Sequence, residues 1–206
     1  MAQITSGLYS ILSNPFVYNF FQWSVGIDSW RQLLVKNHIR PNRGDYFLDI
    51  GCGTADILAH LPNLNYVGFD LSQEYIIAAK KRFGHRGTFK CEQVKATNLE
   101  TPSSFDIVLA HGVLHHLNDE EAIQLFELAY MALKPHGRLI TVDGVFTRDQ
   151  STLARWILSQ DRGQNIRSQE GYVNLASRVF SNVQSTIGHK FLRIPHTLII
   201  LECTKD

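Results

Sequence analysis

Phe47-Leu48-Asp49-Ile50-Gly51-Cys52-Gly53-Thr54 joins a short apolar run to a glycine-rich turn, and the rest of the 206-residue sequence is organised around it. The run at 46–50 reads as a buried strand. Glycines directly after such a strand let the backbone turn tightly and leave room for a ligand to approach main-chain amides at the start of the next helix. Asp70 ends the following apolar run, about twenty residues on, where a carboxylate can accept hydrogen bonds from both hydroxyls of a ribose. Gly51, Gly53 and Asp70 together imply an adenosine-type ligand lying across the crevice of a sheet.

Outward from this stretch, short apolar runs at 46–50, 66–69, 88–91, 105–110 and 138–142 alternate with helical stretches at 56–60, 73–83 and 119–133. That alternation is the pattern of βαβ units on a mostly parallel sheet. Lys134-Pro135-His136-Gly137 is a helix stop signal. Farther on, helices at 151–159 and 169–180 precede two strand-like runs at 183–188 and 197–203, and Pro195 marks a turn between them. The sheet should therefore end in an antiparallel hairpin.

On the other side, Ile4, Leu8, Ile11 and Leu12, then Phe16, Val17, Phe20 and Phe21, recur at helical spacing with Pro15 interrupting them. A third helix at 29–38 leads to Pro41. These helices are too aromatic to stand free in water, so they should cover the sheet's mouth or dimerise. The expected fold is α/β, a doubly wound, seven-stranded, mostly parallel Rossmann-like sheet with a C-terminal antiparallel hairpin and N-terminal lid helices. It forms a single domain over 1–206, with a helical cap at 1–41 and the core at 42–206.

Charge is nearly balanced, with 20 basic and 19 acidic side chains, so no large field attracts a polyanion. No nucleic-acid partner is expected. Cys52, Cys91 and Cys203 lack paired spacing, and the adjacent His115-His116 cannot put two imidazoles on one helix face, so no metal is expected. The first basic residue is Arg31, which does not support a secretory signal, and no segment is apolar and long enough to cross a bilayer. The polar faces of the first helices lack Lys and Arg, which argues against a membrane surface. These features read as cytoplasmic, without stable membrane insertion, as a monomer or a homodimer.

Leu48-Asp49-Ile50-Gly51-Cys52-Gly53-Thr54 resembles the first motif of class I S-adenosylmethionine-dependent methyltransferases. Val67-Gly68-Phe69-Asp70-Leu71-Ser72, Phe105-Asp106-Ile107-Val108, Leu114-His115-His116-Leu117 and Leu133-Lys134-Pro135-His136-Gly137-Arg138-Leu139 follow in that family's order. The resemblance covers about half the chain. It implies S-adenosylmethionine as cofactor and S-adenosylhomocysteine as product. It puts Gly51, Cys52 and Gly53 against the methionine part, Asp70 on the ribose and Leu71 beside the adenine. Asp49 would orient the glycine loop. The family's acidic residue near the adenine amino group is replaced here by Lys95, which leaves Ala96 and Thr97 as the contacts, with Ala110 ending the fourth strand. Tyr18 resembles an N-terminal tyrosine that reaches the methionine carboxylate in some relatives.

Methyl transfer needs the acceptor held on the methyl axis and water excluded. A base is needed only when the acceptor must lose a proton. In an open α/β sheet this site lies beyond the carboxyl ends of the strands. The fourth strand delivers His111 there and the fifth delivers Asp143 and Phe146. His111 is the first choice for a base or orienting group because an unperturbed histidine titrates near neutrality. His115 belongs to a segment that recurs in the resembled family for loop packing and is a candidate substrate contact, as is Phe146. The polar segment 160–167 supplies Arg162 and Arg167, whose guanidinium forks suit an anionic acceptor.

The sequence thus reads as a methyltransferase for a small-molecule acceptor. Two alternatives remain open: a non-catalytic S-adenosylmethionine-binding partner or sensor protein, and an NAD-dependent oxidoreductase. Asp56 stands at the third-glycine position of the dinucleotide fingerprint and counts against the second.

Overall fold

The computed structural model describes residues 26–99, 103–160, 163–189, 191 and 194–206. Seven strands form one sheet in the order β3-β2-β1-β4-β5-β7-β6. They are β1 (Tyr46–Ile50), β2 (Asn65–Asp70), β3 (Gly87–Cys91), β4 (Phe105–His111), β5 (Leu133–Gly144), β6 (Asn182–Gly188) and β7 (Leu198–Thr204). The first five are parallel, and β7 runs antiparallel between β5 and β6. Every expected strand is present, and the C-terminal hairpin is the one Pro195 suggested.

The helices are α1 (Ile27–Leu34), α2 (Gln73–Phe83), α3 (Asp119–Ala132), α4 (Thr152–Ser159) and α5 (Gln169–Ala176). They form where apolar spacing and caps agree. Asn118 and Glu121 make a reciprocal capping box that starts α3, and Ser72, Ser151 and Ser168 each accept a backbone N–H at the start of α2, α4 and α5. The stretch expected as a helix at 56–60 is a single 3₁₀ turn, Asp56–Ala59, entered through left-handed Ala55 and followed by Pro62. The stop signal after α3 falls inside β5, where His136 is left-handed and the chain bends against Lys205 before pairing fully.

The sheet is buried on both faces because consecutive strand residues point oppositely. On β4, Val108 and Ala110 pack with Phe126, Ala129, Tyr172 and Leu175 of α3 and α5. Ile107 and Leu109 pack on the other side with Trp30 and Leu34 of α1 and Ile76, Ala79 and Phe83 of α2. Helices on both faces make the fold doubly wound. The two helices expected before residue 26, with Tyr18, lie outside the described residues, as does Arg162.

Candidate functional site

The chain runs from β1 outward to β3 and then returns to β4, so the strand order reverses between β1 and β4. Open α/β sheets take ligands at the carboxyl ends of strands at such a switch point. Gly51 and Gly53 stand there with φ of 73° and 54°, in the left-handed region. A Cβ on Gly51 would lie 2.7 Å from Val113 Cγ2, so this position excludes a side chain on two counts. The Gly51 and Cys52 amides both donate to the Phe69 carbonyl, at 2.8 and 2.9 Å, and fasten the loop to the end of β2.

Asp70 is braced by two amides. Gly53 N–H donates to Oδ2 at 2.9 Å and Ser72 N–H to Oδ1 at 2.8 Å. Each carboxylate oxygen carries a second lone pair, so the group is held in place and keeps acceptor capacity for hydroxyls. Leu71, next to it, is 60% exposed and presents an apolar surface beside that carboxylate. Ala96 and Thr97 sit exposed on the turn after β3. Ala110 is fully buried, with its methyl group in the core. Cys52 is half-buried with Sγ against Gly68, and burial together with Asp49 and Asp70 pushes its thiol far up, which makes it a packing group rather than a nucleophile.

Beneath the loop, Asp49 is buried and accepts a 2.6 Å hydrogen bond from the Tyr66 hydroxyl. Gly68 pairs with Asp49 across β1 and β2, and a Cβ there would meet the Tyr66 ring and Cys52. A glycine is what lets the phenol reach the carboxylate. Burial pushes the Asp49 carboxyl up to about 7, against the Tyr66 hydrogen bond that lowers it, and the Asp70 charge adds to the rise.

On the acceptor side the structure joins two expected residues. His115 Nδ1 lies 2.8 Å from Asp143 Oδ1, and the His115 backbone N–H donates to the same oxygen at 3.2 Å. That oxygen accepts, so the shared ring proton belongs on Nδ1 and Nε2 carries the lone pair. Burial pushes the Asp143 carboxyl up while the contacts with His115 pull it down, and Asp143 Oδ2 is buried without a hydrogen-bond partner among the described residues. Gly163 packs so closely on the imidazole that a Cβ would lie 2.0 Å from His115 Cδ2. His111 ends β4 nearby. Burial, then the charges of Arg31 and His115, push its pKa down to about 4, which corrects the expectation of a histidine titrating near neutrality.

Arg167 has another task than the expected grip on an anion. It donates to the carbonyls of Leu114 at 3.0 Å and Leu117 at 2.7 Å and to Asp119 at 2.8 and 2.9 Å. The guanidinium ties segment 163–167 to the turn that carries His115, and Asn165 N–H adds a 3.0 Å bond to the His115 carbonyl. Phe146 N–H donates to the Arg167 carbonyl at 3.2 Å, and its ring lies under Arg155 in a shallow apolar groove with Thr152 and Trp156. Sequence reasoning missed Arg31, Tyr66, Val113 and Gly163. None carries a local pattern, since each matters through a partner distant in the chain.

No group of three or more His, Cys, Asp or Glu side chains suited to a metal occurs among the described residues, and no helix among them is long and apolar enough to cross a membrane. The seven-stranded, mostly parallel sheet with its antiparallel C-terminal strands is that of Rossmann-like methyltransferases. Residues 48–139 match the family model described as a methyltransferase domain, which bears out the resemblance to class I S-adenosylmethionine-dependent methyltransferases. S-adenosylmethionine is the family's cofactor.

Similar proteins act on different acceptors. A demethylmenaquinone methyltransferase of Lactobacillus johnsonii is 31% identical over 134 residues, covering 61% of this chain and 52% of the relative. A tRNA U34 carboxymethyltransferase of Pseudoalteromonas atlantica is 27% identical over 144 residues, covering 68% of this chain and 43% of that protein. The chain spans about half the length of these curated relatives. The solved phosphoethanolamine N-methyltransferase 2 of Haemonchus contortus, in complex with S-adenosyl-L-methionine, superposes with a TM-score of 0.70 at 20% identity. That match covers 97% of this chain and 60% of the solved one, and it shows the fold alone. The tRNA-modifying relative means that near-neutral net charge does not by itself exclude a nucleic acid.

Proposed function

We propose that this protein methylates a small-molecule acceptor that gives up a proton on attack, with His115 on Asp143 as the proton-taking pair. The observation that carries this reading is the 2.8 Å contact between His115 Nδ1 and Asp143 Oδ1 at the carboxyl ends of β4 and β5. When bound, S-adenosylmethionine supplies an electrophilic methyl group and leaves as S-adenosylhomocysteine. Asp143 fixes the imidazole tautomer and stabilises the cation that forms when Nε2 takes the acceptor proton. Gly163 and the Arg167 strap hold the ring against rotation. His111, neutral at physiological pH and weakly basic, serves to orient the acceptor by hydrogen bonding.

A phenol or alcohol fits this arrangement best, because its proton must be removed before or during attack. The relative named for demethylmenaquinone acts on a quinone, which supports a small-molecule acceptor here. The test is a product assay for S-adenosylhomocysteine with catechol-type phenols, phosphorylated amino alcohols, aliphatic carboxylates and bulk tRNA, followed by Asp143→Asn and His115→Ala. Turnover on a hydroxyl acceptor that falls about 10²–10⁴-fold in both variants, with S-adenosylhomocysteine affinity kept, is the expected result. Turnover only on tRNA would overturn the small-molecule reading. No product with any acceptor, despite tight donor binding, favours a sensor or partner protein.

A further inference from the structure

β6 ends the sheet, and its sequence does nothing to guard that edge. Residues Asn182–Gly188 pair with β7 in one unbroken antiparallel register, without a bulge. An edge strand presents a row of unpaired backbone N–H and C=O groups, and soluble proteins blunt such edges with charges, proline, bulges or a short strand. Asn182-Val183-Gln184-Ser185-Thr186-Ile187-Gly188 has no charged residue and no proline. β3, at the opposite edge, has only five residues and carries Lys90. The two faces of β6 differ. Val183 and Ile187 pack against the core on the α5 side, and Gln169 of α5 donates to Ser185 Oγ at 3.0 Å. Asn182, Gln184 and Thr186 alternate with them and are exposed. The strand is therefore fixed in place, and its outer edge is open among the described residues.

An occupant of this edge must offer a matching extended strand, and a second β6 does so without setting charge against charge. We propose that β6 pairs antiparallel with β6 of a second copy about a two-fold axis at Ser185, joining two seven-stranded sheets into one across an isologous interface. All seven residues then overlap. Val183 stands opposite Ile187 of the second copy, Gln184 opposite Thr186 and Asn182 opposite Gly188. β-Branched apolar side chains meet on the side covered by α5 and polar ones meet on the other, the kind of cross-strand pairing that stabilises a sheet. A ladder of this length forms about six to eight backbone hydrogen bonds. The pairing leaves the carboxyl ends of β1, β4 and β5 untouched, so it stands apart from the methyl-donor reading.

The test needs neither donor nor acceptor. Sedimentation equilibrium of the full chain, from about 1 to 100 µM, reads the monomer–dimer balance, and a dimer that grows with concentration is expected. Gln184→Lys with Thr186→Lys sets like charges opposite each other twice across the axis and should weaken dimerisation about tenfold. Raising the salt to about 0.5 M should recover much of that loss, because these side chains face water. Gln184→Lys with Thr186→Glu adds as many charges but sets opposite signs across the axis, and should keep the dimer within about threefold of wild type. Both positions are exposed, and circular dichroism checks the fold of each variant. If the paired lysines unfold the chain, Gln184→Glu with Thr186→Glu makes the same like-charge test. A wild type that stays monomeric over the whole range overturns the proposal. So does a dimer that neither kind of double variant weakens, which would place the interface elsewhere, or one that both weaken alike, which would refute the register.

Discussion

Replacing Asp49 with Asn should remove a pH dependence from the stability of the ligand-free protein. The buried carboxyl titrates at about 7 in the fold against 3.8 ordinarily. Between those values the folded chain holds a proton that the unfolded chain has lost, so stability falls as pH rises through the window and levels off above about 7. At about 1.4 kcal/mol per pH unit, the full shift is on the order of 4 kcal/mol. For a chain of this size, about 2–4 °C accompanies each kcal/mol, so the melting temperature contributed by this group should drop on the order of 10 °C. Asn keeps the shape and an oxygen for the Tyr66 hydroxyl but cannot ionise. Scanning calorimetry of both proteins from pH 4.5 to 8 at constant ionic strength isolates the effect, because other groups cancel in the difference. The melting temperature of Asp49→Asn should gain steadily on wild type as pH rises. Parallel curves would refute the reasoning and place the carboxyl in contact with water or ionised throughout.

His111 should act with the opposite sign. Its folded pKa of about 4 lies below the ordinary 6.5, so the unfolded chain binds the extra proton and stability grows as pH rises through that interval; His111→Asn should flatten this rise in the same calorimetric scan. Gly51→Ala should cost about 2–4 kcal/mol in urea denaturation, since a left-handed φ and the 2.7 Å approach to Val113 both oppose a Cβ. Adding Val113→Ala should recover the steric part and leave the backbone part; complete recovery would mean that φ contributes nothing. Arg167→Met should cost about 2–4 kcal/mol by leaving the Leu114 and Leu117 carbonyls and Asp119 without their donor, and amide exchange should rise at 114–117 and 163–167. Unchanged exchange in both segments would contradict the strap.

The sequence by itself determined the order of elements, because that information is local. Alternating apolar runs, the Gly51-Cys52-Gly53 turn and Pro195 each act within a few residues, and the resulting strands could be named before any coordinate. Asp70 was legible for the same reason, as it ends a strand at a fixed distance from the glycine turn. What only the tertiary structure decided depends on pairs remote in the chain. His111 and Asp143 were read as separate acid–base candidates, yet it is His115, 28 residues before Asp143, that the parallel pairing of β4 and β5 brings onto that carboxylate. Arg167 looked like an anion ligand because a guanidinium in a polar segment gives no sign of the carbonyls it will meet. Asp56 looked like a mere departure from a glycine pattern until α1 folded back and set Arg31 on it. Titration behaviour was equally hidden, since desolvation is a property of the packed core. Local pattern chooses the elements and burial chooses their chemistry, because hydrogen bonds and charges acquire their strength only where the fold removes water.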